Sequence, residues 1–272
     1  MLEKIVFRNH INEEIQFGEG GLYLNNTDLH SYGWDYISRN DKISFFTRTI
    51  VEKSLPVRVK CNTRDEGYQL MNDLMEKADK DILSREPGRL IAGDYYLNCY
   101  LCRNNKDRYD LQNGIFYAEL TVVTDQPSWV KETTQKFNPQ SGGSGQNLDY
   151  PFDFPYDFAS PSASTEIQNG FSDSDFRMVI YGEVTNPAIT IGDHAYQVTG
   201  HVDDGEYLVI DSRDKTVMLV EEDGTSVNWF SKRNRDNYIF QKIPSGTSSI
   251  LWSGEFDFDI TLFEERSEPK WT

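Results

Sequence analysis

Histidine and cysteine are scarce in this chain, with four and three among 272 residues. The histidines, His10, His30, His194 and His201, show neither HxH nor HExxH spacing, so a zinc centre built on them is not expected. His194 and His201, with Asp193, Asp203 and Asp204 near them, read as turn residues. Cys99 and Cys102 form a CxxC without a second pair. In a strand-like stretch positions three apart face opposite sides, so these are expected to be reduced structural thiols, consistent with assembly in a cytoplasm. No run of 18 apolar residues exists, which excludes a helical membrane span, and the first residues alternate like a strand instead of forming a signal peptide. GxxxxGK and GxSxG are absent. The Asp173/Asp175 and Asp203/Asp204 pairs lack the longer DxDxDG order of a calcium loop. Glu221/Glu222 and Glu264/Glu265 are adjacent on strand-like segments and point apart, so neither makes a hydrolytic carboxylate pair. No catalytic residue, metal or cofactor is expected.

Positive charge is scarce too, and unevenly so. The chain holds 27 Lys and Arg against 44 Asp and Glu, a net charge of −17. Residues 1–148 hold 18 against 21, a net of −3, and residues 149–272 hold 9 against 23, a net of −14. The second half would repel phosphates, so direct nucleic-acid binding is not expected. Lys232, Arg233 and Arg235 are the one basic cluster there and form a candidate docking patch.

Aromatic residues, by contrast, are plentiful, and one stretch concentrates them. In residues 149–158, Tyr150, Phe152, Phe154, Tyr156 and Phe158 alternate with Asp149, Pro151, Asp153, Pro155 and Asp157. An extended chain puts rings on one side and acid and proline on the other, and the prolines exclude a helix or a central strand. A Gly/Ser run at 140–146 precedes this strap. The expected division is a domain at 1–139, a linker and strap at 140–158, and a second domain at 159–272.

Along the first part, strands are expected at 2–8, 15–24, 44–52 and 55–61, with Pro56 at a strand start or an edge. Residues 25–44 are mixed, and Trp34 and Tyr36 stand out there as candidate core-edge or subunit contacts. Over 63–83 the period changes: Tyr68, Met71, Leu74, Met75, Ala78 and Ile82 fall on one helical face, with Thr63 or Asp65 as cap and Pro87-Gly88 as terminator. Strands resume at 89–92, 95–103 and 114–124. The polar run 104–110 reads as a hairpin tip, and 127–138 as a polar exit from the domain. The second part has an all-β rhythm, with strands near 165–169, 177–182, 188–191, 194–200, 206–211, 216–221, 226–229, 240–243, 248–254 and 257–264. The fold class is mainly β: a β-sandwich with one α-helix and an extended β-hairpin, then a jelly-roll-like β-sandwich.

Several segments together resemble the distal tail (Dit) proteins of long, flexible-tailed bacteriophages. They are the strap at 150–157, Gly205-Glu-Tyr-Leu-Val-Ile-Asp-Ser-Arg-Asp-Lys-Thr-Val217, Asp223-Gly224, Val227-Asn228, Phe240-Gln-Lys-Ile-Pro-Ser-Gly246 and Thr261-Leu-Phe-Glu-Glu-Arg266. The resemblance covers nearly the whole chain. It implies a homohexameric ring at the end of the tail, built by the first domain. It also implies a galectin-like second domain facing outward and holding receptor-binding or baseplate proteins. The implied partners are the major tail tube protein on one ring face and the tail-associated tip protein on the other, in a virion component assembled in the host cytoplasm. Candidate ring or tube contacts are then Trp34, Tyr36 and Asn104, Asn105, Lys106, Asp107 and Arg108. An alternative is a glycan-binding adhesion module, for which Trp229, Trp252 and Tyr238 are candidate stacking rings beside Lys232, Arg233 and Arg235. The His-x-Asn-x-Arg order of sugar-binding galectin folds is absent.

Overall fold

The computed structural model describes residues 4–25, 27–110, 115–139 and 166–270, with the side chains of 107–110 outside that description. The chain divides into two compact units, 1–131 with 265–272, and 132–264. The closing segment thus returns to the first unit, which a reading in chain order assigns to the second. The Gly/Ser run and the strap (Tyr150, Phe152, Phe154, Tyr156, Phe158) lie outside the described residues.

The first unit runs β1 (Ile5–Arg8), β2 (Glu14–Phe17), β3 (Leu22–Leu24), β4 (Asp35–Arg39), β5 (Lys42–Thr47), β6 (Val51–Lys60), α1 (Arg64–Ser84), β7 (Gly88–Ala92), β8 (Tyr95–Asp110), β9 (Ile115–Thr124) and the start of β10 (Trp129–Phe137). Two antiparallel series share β8: β2-β1-β7-β8 and β3-β6-β9-β8. Leu55, Val57 and Val59 alternate inward on β6, and Phe7, Phe17, Leu90, Leu97, Leu120, Val122 and Trp129 complete a core against Leu74 and Ala78 of α1. Pro56 sits inside β6 rather than at its start. Its carbonyl accepts from the Asn25 amide at 2.9 Å, so its missing donor faces the side where β3 ends at Leu24.

Helix α1 forms as its pattern demands. The Thr63 hydroxyl accepts from the Glu66 amide at 3.2 Å, and the Glu66 carboxylate accepts from the Asn62 amide at 2.9 Å, a reciprocal cap. Leu74 and Ala78 are buried and Met71 and Met75 half-buried, whereas Tyr68 and Ile82 at the margins of the stripe are exposed. The helix ends at Arg85 in the left-handed conformation (φ 61°), two residues before Pro87.

The second unit takes the end of β10, then β11 (Glu166–Asn169), β12 (Asp175–Tyr181), β13 (Val184–Thr185), β14 (Ala188–Ile191), β15 (His194–Gln197), β16 (His201–Val202), β17 (Tyr207–Asp211), β18 (Thr216–Val220), β19 (Ser226–Asn228), β20 (Gly246–Leu251) and β21 (Phe258–Arg266). One sheet is ordered β19-β18-β17-β12-β21-β10 and the other β11-β20-β14-β15, with β13 and β16 paired apart. Phe176, Met178, Ile180, Leu208, Ile210 and Ile260 from the first meet Ile167, Ile189, Ile191, Tyr196 and Ile250 from the second in one core, which makes a sandwich.

Three expected elements differ. Residues 127–138 are mostly strand β10, because Trp129, Val130 and Phe137 bury at its two ends despite the polar middle. Residues 240–243 form no strand; Phe240 and Ile243 are buried core plugs, and Ile243 makes one isolated bridge to Ser174. The run 104–110 is not a tip but the outer half of β8, paired with β9 through Asp110↔Ile115. Its polar residues are accommodated because β9, itself flanked by β6, supplies ladder partners along the run except at Asp107, where the register shifts.

Candidate assembly surface

Residues 35–47 make a two-stranded ribbon that, among the described residues, belongs to no larger sheet. β4 and β5 pair Asp35↔Thr47, Tyr36↔Phe46, Ile37↔Phe45, Ser38↔Ile43 and Arg39↔Lys42. The two-residue turn is Asn40-Asp41, with φ 51° and 58°. Positive φ at both central residues suits the right-handed strand twist, and Asn and Asp tolerate it best after glycine. Successive pairs face opposite sides, so Tyr36 and Phe46 lie on one face and Ile37 and Phe45 on the other. All four are exposed, Tyr36 at 63 %, as are Trp34, Ile43 and Ile50. A lone two-stranded ribbon is marginal in water, and apolar side chains on both faces are unusual for a free surface.

The root of the ribbon is fixed by Arg48. Its guanidinium stacks 3.8 Å over the Trp34 ring, donates to the Pro127 carbonyl, to Ser128 Oγ at 3.3 Å and to Ser267 Oγ, and is partly desolvated, which lowers its pKa. Trp34 meets Phe46 edge-on at 6.4 Å. Behind the root a cavity of about 220 Å³ is lined by Asp28, Arg48, Lys53 and Trp129 among others. Lys53, only 7 % exposed, donates to the Asp28 carbonyl at 3.3 Å and to the Ser31 carbonyl, tying down the loop before the ribbon.

Trp34 and Tyr36 are thus both on this surface, together with Ile37, Ile43, Phe45 and Phe46. The signal for them was Asn40-Asp41 between two ring-bearing runs. Asn104, Asn105 and Lys106 lie on a different element, the outer half of β8. Asn105 and Lys106 are exposed, and Asn104 is half-buried with its amide 3.1 Å from Met75 Sδ. Of Asp107 and Arg108 only the place on β8 is described.

In the second unit Trp229 is 5 % exposed and packs against Gly200, where a Cβ would come within 2.8 Å of its ring. Trp252 is half-buried against Phe137 and Phe258, with ring centroids at 6.3 and 5.3 Å. Neither indole is exposed as a stacking platform would be, whereas Tyr238 is 58 % exposed. Lys232 and Arg235 are exposed and Arg233 half-exposed. His194 and His201 do not converge: His194 Nε2 is 3.0 Å from the Tyr238 carbonyl, and His201 contacts Thr185 and Asp203. Among the described residues no three His, Cys, Asp or Glu side chains gather as a metal site.

No family model and no curated protein matches the chain. Solved structures match over its full length. A chain of the phage P2 baseplate in its activated conformation with calcium is 15 % identical with a TM-score of 0.63, covering 99 % of this chain and 100 % of that one. The SPP1 Dit (gp 19.1) protein, described as a paradigm of the hub adsorption apparatus in phages infecting Gram-positive bacteria, is 9 % identical with a TM-score of 0.58, covering 98 % and 100 %. The chain therefore has, end to end, the fold of phage baseplate and Dit hub chains.

Proposed function

We propose that this chain is a distal tail protein, the structural hub of a phage tail tip. In this reading six copies close a ring that joins the major tail tube protein to the tail-associated tip protein. The second unit carries receptor-binding or baseplate proteins, and the work is done by interface area rather than by a reactive group. The observation that carries the proposal is the β4–β5 ribbon, which holds apolar side chains on both faces, in a chain whose whole length follows the fold of baseplate hubs. A ring needs one patch of each copy to bury against a different patch of the next, about 1,000 Å² or more per contact. A ribbon projecting rings on two faces suits such a head-to-tail contact, and aromatic side chains commonly anchor it.

The test is the mass of the purified chain by light scattering over a concentration series, with Tyr36→Asp/Phe46→Asp beside it. The expected result is a concentration-dependent species of six copies that the double substitution reduces to monomer with an unchanged circular dichroism spectrum. A substituted chain that assembled like the native one would remove the ribbon from the interface.

A further inference from the structure

The second unit holds 8 Lys and Arg against 22 Asp and Glu. In such a field four of the eight cations pair with a carboxylate: Lys136 with Asp259 at 3.9 Å, Arg177 with Asp211 at 3.0 Å, and Lys242 and Lys215 with a shared Asp175 at 2.9 and 3.9 Å. Lys232, Arg233 and Arg235 are different. Three of the eight cations fall within four residues, and none of them has a carboxylate within 4 Å among the described residues. Asp236, next in sequence, pairs with none of them; its amide donates to Asn234 Oδ1 at 2.8 Å.

Two of these cations are held over rings, Arg233 over the exposed Phe230 and Lys232 over the buried Trp229. Arg233 lies 3.7 Å over Phe230 and donates to its carbonyl at 2.5 Å, and Lys232 lies 3.5 Å over Trp229. Phe230 stacks on the buried Phe240 at 6.0 Å, and Tyr238, 58 % exposed, meets the same ring edge-on at 5.8 Å. Lys215 sits 5.6 Å from the Phe240 ring and 5.9 Å from Tyr238. The segment 229–240 therefore displays the Phe230 and Tyr238 rings and three cations with no carboxylate partner among the described residues, two of them held over rings, on a unit with a net charge of −14.

We infer that this patch docks a short acidic segment of a second protein, one with two or three Asp or Glu side chains interleaved with aromatic residues. The carboxylates pair with Lys232, Arg233 and Arg235, and the rings cover Phe230 and Tyr238. A long polyanion is disfavoured, because beyond a Debye length of about 8 Å it meets the surrounding acidic surface, whereas a short segment meets only the patch. The inference deepens the hub reading by giving the chemistry of a partner, and it rests on that reading for the existence of one. The assay below does not depend on ring formation, so the two fail separately.

The experiment is fluorescence anisotropy of a capped, labelled peptide, Asp-Phe-Asp-Tyr-Glu-Phe-Asp, titrated with the full chain. Its controls are the Asn/Gln counterpart of the peptide and inorganic polyphosphate. The acidic peptide should bind in a salt-sensitive way, and Lys232→Glu/Arg233→Glu/Arg235→Glu should weaken it by about tenfold or more. Arg235→Glu alone, at an exposed side chain without a hydrogen bond among the described residues, should weaken it in the same direction with the fold intact. Equal binding of the neutral peptide, or no loss in either variant, overturns the inference. Tighter binding of polyphosphate overturns it in favour of an anionic polymer. Binding that appears only after Asp149→Asn/Asp153→Asn/Asp157→Asn overturns a separate partner in favour of this chain's own acidic segment.

Discussion

Asp81 is the most constrained polar residue of the first unit. It is fully buried on α1, and its Oδ1 accepts from the His10 amide at 2.9 Å and lies 2.7 Å from His10 Nδ1. A side chain at Gly88 would meet Asp81 Oδ2 at 2.3 Å and the Arg8 carbonyl at 2.9 Å. Gly88 therefore lets β7 pass close to the helix end, and Gly88→Ala should lower the unfolding free energy by about 1–3 kcal/mol, read by denaturant titration. Lys53 sets a second expectation. Burial holds its ammonium below the ordinary value of 10.5. Between its folded and unfolded values the unfolded chain binds more protons, so this group adds stability as pH rises through that window. The stability difference between the native chain and Lys53→Met should then move toward the native chain from neutral to alkaline pH. A difference that stays flat would show that Lys53 is solvated. Burial also pushes the Cys99 thiol far up, which keeps it protonated and structural, as its place on a strand implied.

At the scale of elements, α1 shows local signals and packing in agreement. The Thr63–Glu66 cap is exposed and reciprocal, and Thr63→Ala should cost about 1 kcal/mol while leaving the strands unchanged. The β4–β5 ribbon shows the opposite balance. Its rings stay more than half exposed among the described residues, so Tyr36→Asp/Phe46→Asp should leave thermal stability within a few degrees of native and abolish self-association. A large fall in melting temperature would mean that the ribbon belongs to the fold of the monomer. Arg48, stacked on Trp34 and bonded to three separate groups, anchors the root of the ribbon.

For the whole molecule, charge and surface divide the labour. The first 148 residues are near neutral and contain the apolar ribbon, while the rest is strongly acidic. A ring built through the former and solvated through the latter predicts that association survives moderate salt, since apolar burial is not screened. Peptide binding at 229–240 should fall steeply over the same salt range. Light scattering at low and moderate salt distinguishes the two, and a hexamer that dissolves as salt rises would assign ring closure to charge instead.

Local pattern by itself determined helix α1, narrowed its cap to Thr63 or Asp65, marked its end before Pro87, and gave most described strands of the second unit. Those patterns are local: the 3.6 spacing from Tyr68 to Ile82 and the two-residue alternation of segments such as 207–211 are written in neighbouring residues. The charge split was legible for the same reason. Other features needed the fold. Whether 104–110 turns or pairs depends on β9 lying beside it, and polarity alone reads as a loop. Whether Trp229 is a platform or a core plug depends on Gly200 arriving from elsewhere in the chain. Whether residues 265–272 belong with the second unit or the first depends on contacts far apart in sequence. The ribbon is the sharpest case. Its turn residues were readable, but that the apolar side chains of both its faces stay about half exposed or more among the described residues is a property of what does not pack on it, and only the tertiary structure decides that.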